Sequence, residues 1–245
     1  MIYLDNAATT RPDPKVIEQL LPYLSDYWGN ASSPYSFGDE PSRAIEMCRK
    51  TIADYINASP EEIYFTSGGS ESNSWAIRGY TDLNPESIIV TTPIEHMSII
   101  NACSYLTHYG KSIHRVDIDE KGKVKLDSLG NLIKSAAKPF VSIQFANNEI
   151  GTIQDIPEIA KIVHQYKGVL HVDAVQAFGH IDIDVKKLGI DMMSVSGHKI
   201  GAPKGIGFLY KKKNIAIAPL IYGGKQEFGL RGGTENVPYI VALGM

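Results

Sequence analysis

From Ile63 onward, short apolar runs alternate with stretches of helical periodicity, and that alternation restricts the possible topologies more than any other feature of the chain. The expected strands are 63–66, 87–92, 112–117, 140–145, 169–173, 192–196 and 206–210. Between them, 70–80, 96–109, 126–136 and 156–166 have the apolar spacing of amphipathic helices. Parallel strands need long crossovers, which helices supply, so the pattern predicts a mostly parallel seven-stranded α/β sheet with helices on both faces. The run 206–210 follows its predecessor too closely for a helical crossover and is expected to be the one antiparallel strand. Upstream, 13–27 and 41–57 also have helical spacing, separated by a Gly, Asn, Ser and Pro-rich loop over 28–37. Residues 235–245 begin like a helix, with Pro238 early and apolar residues after it, but carry no C-terminal capping signal.

Composition excludes several function classes. With 24 basic and 27 acidic residues and a net charge of -3, the chain gives no electrostatic reason to expect a nucleic acid or an acidic membrane as partner. No apolar run approaches the length of a membrane span, and the first residues lack the charged and apolar regions of a signal peptide. Cys48 and Cys103 are the only cysteines, too few for a disulfide framework, so a reducing cytoplasm is the expected location. The histidines show no spacing that suits a metal. A hydrophobic content of 43% is enough for a substantial core.

Ligands of open α/β sheets sit at the carboxyl ends of the strands, and the residues with useful chemistry fall there. Ser196-Gly197-His198-Lys199 follows the run 192–196, and Asp173-Ala174-Val175-Gln176 closes 169–173. A lysine amine beside a fixed carboxylate suits a Schiff base with a carbonyl cofactor whose pyridinium nitrogen faces the carboxylate. That combination points to pyridoxal 5'-phosphate (PLP). Desolvation and a neighbouring cation would free the Lys199 amine, and Asp173 would raise the proton affinity of the ring; a helix N-cap is the alternative reading of Asp173. Gln176, one helical turn on, would reach the ring oxygen. Thr66-Ser67-Gly68-Gly69-Ser70-Glu71-Ser72 joins a strand to a helix, where backbone amides and the Ser70 hydroxyl would cradle a phosphate, unless it is an ordinary turn. Ser196 and His198 would assist at the phosphate. His96, opening a helix, would stack on a planar ring or simply bond locally. Asn148, in Asn147-Asn148-Glu149-Ile150-Gly151, would donate to a phenolic oxygen or build a turn. Arg231-Gly232-Gly233-Thr234-Glu235 is a second Gly-rich turn, able to reach an anion across a subunit boundary or to be a plain surface loop.

In order and spacing these segments, together with Tyr3-Leu4-Asp5-Asn6-Ala7-Ala8-Thr9-Thr10, Gly29-Asn30-Ala31-Ser32-Ser33, Glu95-His96 and Pro203-Lys204-Gly205, resemble the class V, fold-type I PLP enzymes and, within them, the cysteine desulfurases. The resemblance implies Lys199 as the cofactor's covalent anchor, Asp173 at the pyridine nitrogen and His96 stacked on the ring. It implies Asn148 and Gln176 at the ring oxygen, and Gly69, Ser70, Ser196 and His198 at the phosphate. Thr234 would reach the phosphate of the partner subunit in a homodimer. Such enzymes take sulfur from L-cysteine, leave alanine, and pass the sulfur to an acceptor or scaffold protein for iron–sulfur cluster or thio-cofactor assembly. Residues 1–15 are expected to be an N-terminal segment and 16–245 the PLP-binding large domain, with the C-terminal small domain absent. Ala31, Tyr35 and Ser74 depart from the family's usual proline, histidine and asparagine. The family's sulfur-accepting cysteine and carboxylate-binding arginine lie beyond Met245, and neither Cys48 nor Cys103 matches that cysteine. Activity of this chain is therefore expected to be impaired. An inactive PLP-binding or dimerising scaffold and another class V enzyme, such as a selenocysteine lyase or an aminotransferase, are the alternatives.

Overall fold

Seven strands form one sheet in the order β1-β7-β6-β5-β4-β2-β3 in the computed structural model. It describes residues 2–245; Met1, the first residue of the expected N-terminal segment, lies outside them. The strands are β1 (Ile63–Thr66), β2 (Ile89–Thr91), β3 (Ile113–Arg115), β4 (Phe140–Gln144), β5 (Val169–Asp173), β6 (Met192–Ser196) and β7 (Gly207–Lys211). β7 runs antiparallel to both its neighbours, β1 and β6, and every other pairing is parallel. The expected single reversed strand is thus wedged inside the sheet, and it makes the only connection between β1 and the rest.

The main helices fall close to their expected places: α3 (Asp39–Tyr55), α4 (Gly69–Leu83), α5 (Met97–Thr107), α6 (Leu126–Ile133), α7 (Ile156–Gln165) and α9 (Val237–Gly244). The 13–27 stretch is not one helix. It divides into α1 (Pro14–Leu20) and α2 (Pro22–Ser25), because Pro22 has no N–H to continue the ladder. The segment α8 (Val185–Leu188) gave no periodic signal at four residues; Asp184 caps its start, and Gly189, at φ +69°, ends it. β2 and β3 are shorter than their apolar runs, and β3 is a sheet edge with no fully buried residue.

Each strand presents alternate residues to opposite faces. Val141, Ile143, Leu170, Val172, Met193, Val195, Phe208 and Tyr210 pack with α3, α6, α7 and α9 in the larger core. Phe140, Val169, Met192 and Leu209 pack with Trp75 and Ile77 of α4 and Ile99 and Leu106 of α5 in the smaller one. On this second face the side chains become polar toward the carboxyl ends of the strands. Phe140, Ser142 and Gln144 succeed one another on β4, Val169, His171 and Asp173 on β5, and Met192, Ser194 and Ser196 on β6. The polar end of that face opens into the cavity described below.

Candidate active site

A cavity of about 570 Å³ lies over the carboxyl ends of β4, β5 and β6 and the start of α4. Gly69, Ser70, His96, Asn148, Asp173, Gln176, Ser196, His198 and Lys199 all line it. Thr234 does not. It faces a separate cavity of about 200 Å³ together with Ser67 and Arg231.

The β1–α4 turn carries the backbone donors. Gly68 has φ +146°, in the region that favours glycine, and a Cβ on Gly69 would stand 2.7 Å from Val175 Cγ2. The first intrahelical bond runs from Ser72 N–H to Gly68 O, so the amides of Gly69, Ser70 and Glu71 have no acceptor within the helix. They point, with the positive end of the helix, to where an anion is favoured.

Asp173 ends β5 and is only 1% exposed. Its Oδ1 accepts from Val175 N–H at 3.0 Å in a turn, not as a helix N-cap, since no helix follows β5 there, and its Oδ2 accepts from Asn73 Nδ2 at 2.8 Å. Burial pushes its carboxyl above the usual range, opposed by those two donors and by the charges of His96 and Lys199. It forms no ion pair among the described residues. Lys199 donates through Nζ to the carbonyls of Ala7 and Ala8. Burial lowers its pKa, with Asp5 and Asp173 pulling the other way, so the ammonium is easier to deprotonate than a surface lysine. His198 is also lowered, by burial and by the charges of Lys199 and Lys204.

For His96 and the Asn147–Asn148 pair, the local bonds are present and His96 and Asn148 also line the cavity. His96 caps α5, its Nδ1 accepting from Ser98 N–H at 3.2 Å, while its ring lines the cavity. Asn147 builds the turn, its Oδ1 accepting from Glu149 N–H and Ile150 N–H. Asn148 faces the cavity and accepts from Gln144 Nε2 at 3.0 Å. Gln176 is not one helical turn from Asp173, because the chain after β5 forms turns rather than a helix, and its Nε2 donates to Ala7 O at 2.8 Å. Arg231 does not face the larger cavity; its guanidinium is engaged by the Glu71 carboxylate.

Three lining residues escaped the sequence reading: Gln144, Asn73 and Ser98. Gln144 orients Asn148 from the end of β4. Asn73 is 1% exposed; its Nδ2 bonds Asp173 and Ser98, and its Oδ1 has no partner. Its spacing of four from Gly69 puts it on the same helix face, which is the one signal that pointed to it.

The aminotransferase class-V family model matches residues 2–245. The chain belongs to that family. Among class-V relatives, it is 47% identical over 245 residues to the cysteine desulfurase IscS of Methanosarcina thermophila, covering 99% of this chain and 60% of that protein. It is 44% identical over 245 residues to the cysteine desulfurase IscS of Clostridium botulinum, covering 99% and 62%. The chain thus spans about three fifths of the length of these curated relatives. A solved NifS-like protein superposes with a TM-score of 0.96 at 40% identity over 99% of this chain and 68% of that one. A structure of SspA in complex with cysteine does so with a TM-score of 0.95 at 38% identity over 100% and 71%. These superpositions show that the fold is shared. Among the described residues no helix is long and apolar enough to cross a membrane, and no cluster of side chains suits a metal.

Proposed function

We propose that residues 16–245 form the PLP-binding large domain of a cytoplasmic, homodimeric L-cysteine desulfurase, with residues 1–15 as its N-terminal segment. The observation that carries this reading is the presentation of Lys199 and Asp173 into one cavity from the ends of adjacent strands, each within reach of the other's charge. The donor set suits a phosphorylated pyridine aldehyde. Free amides at the start of α4 suit the phosphate, a buried carboxylate without a cation suits a protonated ring nitrogen, and the orphaned Asn73 Oδ1 lies beside it.

When bound, PLP supplies an electron sink for bonds at the α-carbon of an amino acid. Lys199 anchors it, giving up a proton from Nζ that burial already loosens. Asp173, positioned by Asn73 and Val175 N–H, would face the ring nitrogen. His96 covers one ring face, and Asn148 and Gln176 hold the ring oxygen. Gly69, Ser70, Ser196 and His198 hold the phosphate, and Thr234 serves the phosphate of the partner subunit. L-Cysteine is the substrate, alanine the product, and the sulfur goes to an acceptor protein.

A second reading is a PLP-binding scaffold without turnover, and the thiols of this chain do not supply a sulfur acceptor. Burial pushes Cys48 up to about 11 and Cys103 up to about 12, so neither offers an accessible thiolate to take sulfur.

Titration with PLP followed by gel filtration tests the assignment. A visible absorbance band is expected to stay with the chain and to be absent from Lys199→Ala; a band unchanged in Lys199→Ala overturns it. Addition of L-cysteine then separates the two readings. Release of alanine and sulfide supports the desulfurase, and an intact band with neither product supports the scaffold.

A further inference from the structure

One carboxylate touches both Gly-rich segments of this chain. Glu71, in the first turn of α4, accepts from Ser67 N–H through Oε2 at 2.8 Å and from Arg231 Nε through Oε1 at 2.9 Å; Arg231 Nη2 lies 3.3 Å from Oε2. The two side chains are largely buried, 10% exposed for Glu71 and 21% for Arg231. Ser67 begins the turn whose Gly69 and Ser70 line the larger cavity, and Arg231 begins the segment that carries Thr234 in the smaller one.

Within the turn, Thr66 Oγ1 accepts from Gly68 N–H at 3.3 Å and bonds Ser72 Oγ at 2.8 Å, but these contacts are local and do not reach the second segment. The turn leaves α4 through Gly68, and the second segment passes through Gly232 and Gly233, the latter at φ +105°. Its backbone is tied by Gly232 N–H to Ile221 O, and farther back Glu227 is clamped by Arg49. A fork of charge-assisted bonds is geometrically stricter than a single contact, so the Glu71–Arg231 pair sets the distance between the two segments. Burial works against ionisation of Glu71, but the bonds from Arg231 and Ser67 outweigh it and hold the carboxyl below its usual range.

We propose that Glu71 is a positioning residue for the cofactor's phosphate: through Ser67 it aims the amides of the β1–α4 turn, and through Arg231 it ties that turn to the segment bearing Thr234. The inference rests on the PLP assignment above. It predicts that Glu71 acts on the phosphate and not on the ring.

The affinities of the chain for PLP and for pyridoxal, which lacks the phosphate, separate these contributions. Glu71→Gln is expected to weaken PLP about tenfold, the scale of a lost bond to a charged group, and to leave pyridoxal within about twofold. Arg231→Gln is expected to act in the same direction, and the double variant to be no worse than the weaker-binding single one, since both remove one unit. If Glu71→Gln does not fold, Arg231→Lys, which keeps the charge and loses the fork, carries the same comparison. Equal losses for PLP and pyridoxal, unchanged or tightened PLP binding, or additive effects in the double variant overturn the inference while PLP still binds the unaltered chain. Failure of the unaltered chain to retain PLP defeats the cofactor assignment and this inference with it.

Discussion

The same strands of the sheet follow two different rules on their two faces. Toward α3, α6, α7 and α9, Val141 and Ile143, Leu170 and Val172, and Met193 and Val195 are apolar from end to end and fully buried. Toward α4 and α5, one residue out of step, each strand starts apolar and finishes polar at the cavity. Between those ends lies His171, fully buried, with Ser142 Oγ and Ser194 Oγ each 2.9 Å from a ring nitrogen and Phe140 stacked against it. Alternation therefore separates positions that hold the sheet together from positions that serve the site. Ser142, Gln144, His171, Asp173 and Ser194 are accepted on the second face because each has a partner there.

Truncation on the first face should give the largest stability effect. Leu170→Ala is expected to cost about 2–5 kcal/mol in a denaturant titration, leaving the PLP band of the folded fraction intact. A cost below about 1 kcal/mol would mean that this face is not where stability resides.

Acid sensitivity is the next largest effect and belongs to the second face. Burial drives the pKa of His171 down to about 3. The unfolded chain takes up a proton near the ordinary value of about 6.5 and the folded chain does not. Stability is then complete above that value and falls with pH from there to about 3, by up to about 1.4 kcal/mol per pH unit from this residue. His171→Asn should flatten the slope between pH 6 and 4, as roughly bracketed by those two values, whatever it does at neutrality. An unchanged slope would show that His171 does not control this loss.

Asp173→Asn is expected to have the smallest effect on folding, within about 1 kcal/mol, because it removes a buried charge and keeps the shape. The same change should weaken retention of PLP and shift its absorbance. A stability loss as large as that of Leu170→Ala would break the distinction between the faces.

The sequence displays the strands well and their faces poorly. Runs such as 169–173 stand out as apolar even though His171 and Asp173 sit within them, so element positions were legible while the polar gradient across strands was not. That gradient depends on the register that sets Ser142 beside His171, which no local pattern records. Lys199 and Asp173 were legible because an amine and a carboxylate at strand ends are rare enough to carry meaning. Asn73 was not, since an asparagine inside a helix has no signature until its neighbours are known. Arg231 was read as a free cation because its partner is 160 residues away. The split at Pro22 was written in the chain, but helical spacing on both sides of it obscured the break.

The position of β7 also dictates an order of events. β1 bonds to the sheet only through β7, in a register that sets Ile63 opposite Tyr210. Closing so long a loop is slow and yields nothing until it is complete. On the ribosome, β1 is made early and stays unpaired until Lys211 has left the exit tunnel. The turn beginning at Ser67 cannot complete its contacts before then, so one wall of the cavity waits for chain synthesised more than a hundred residues later.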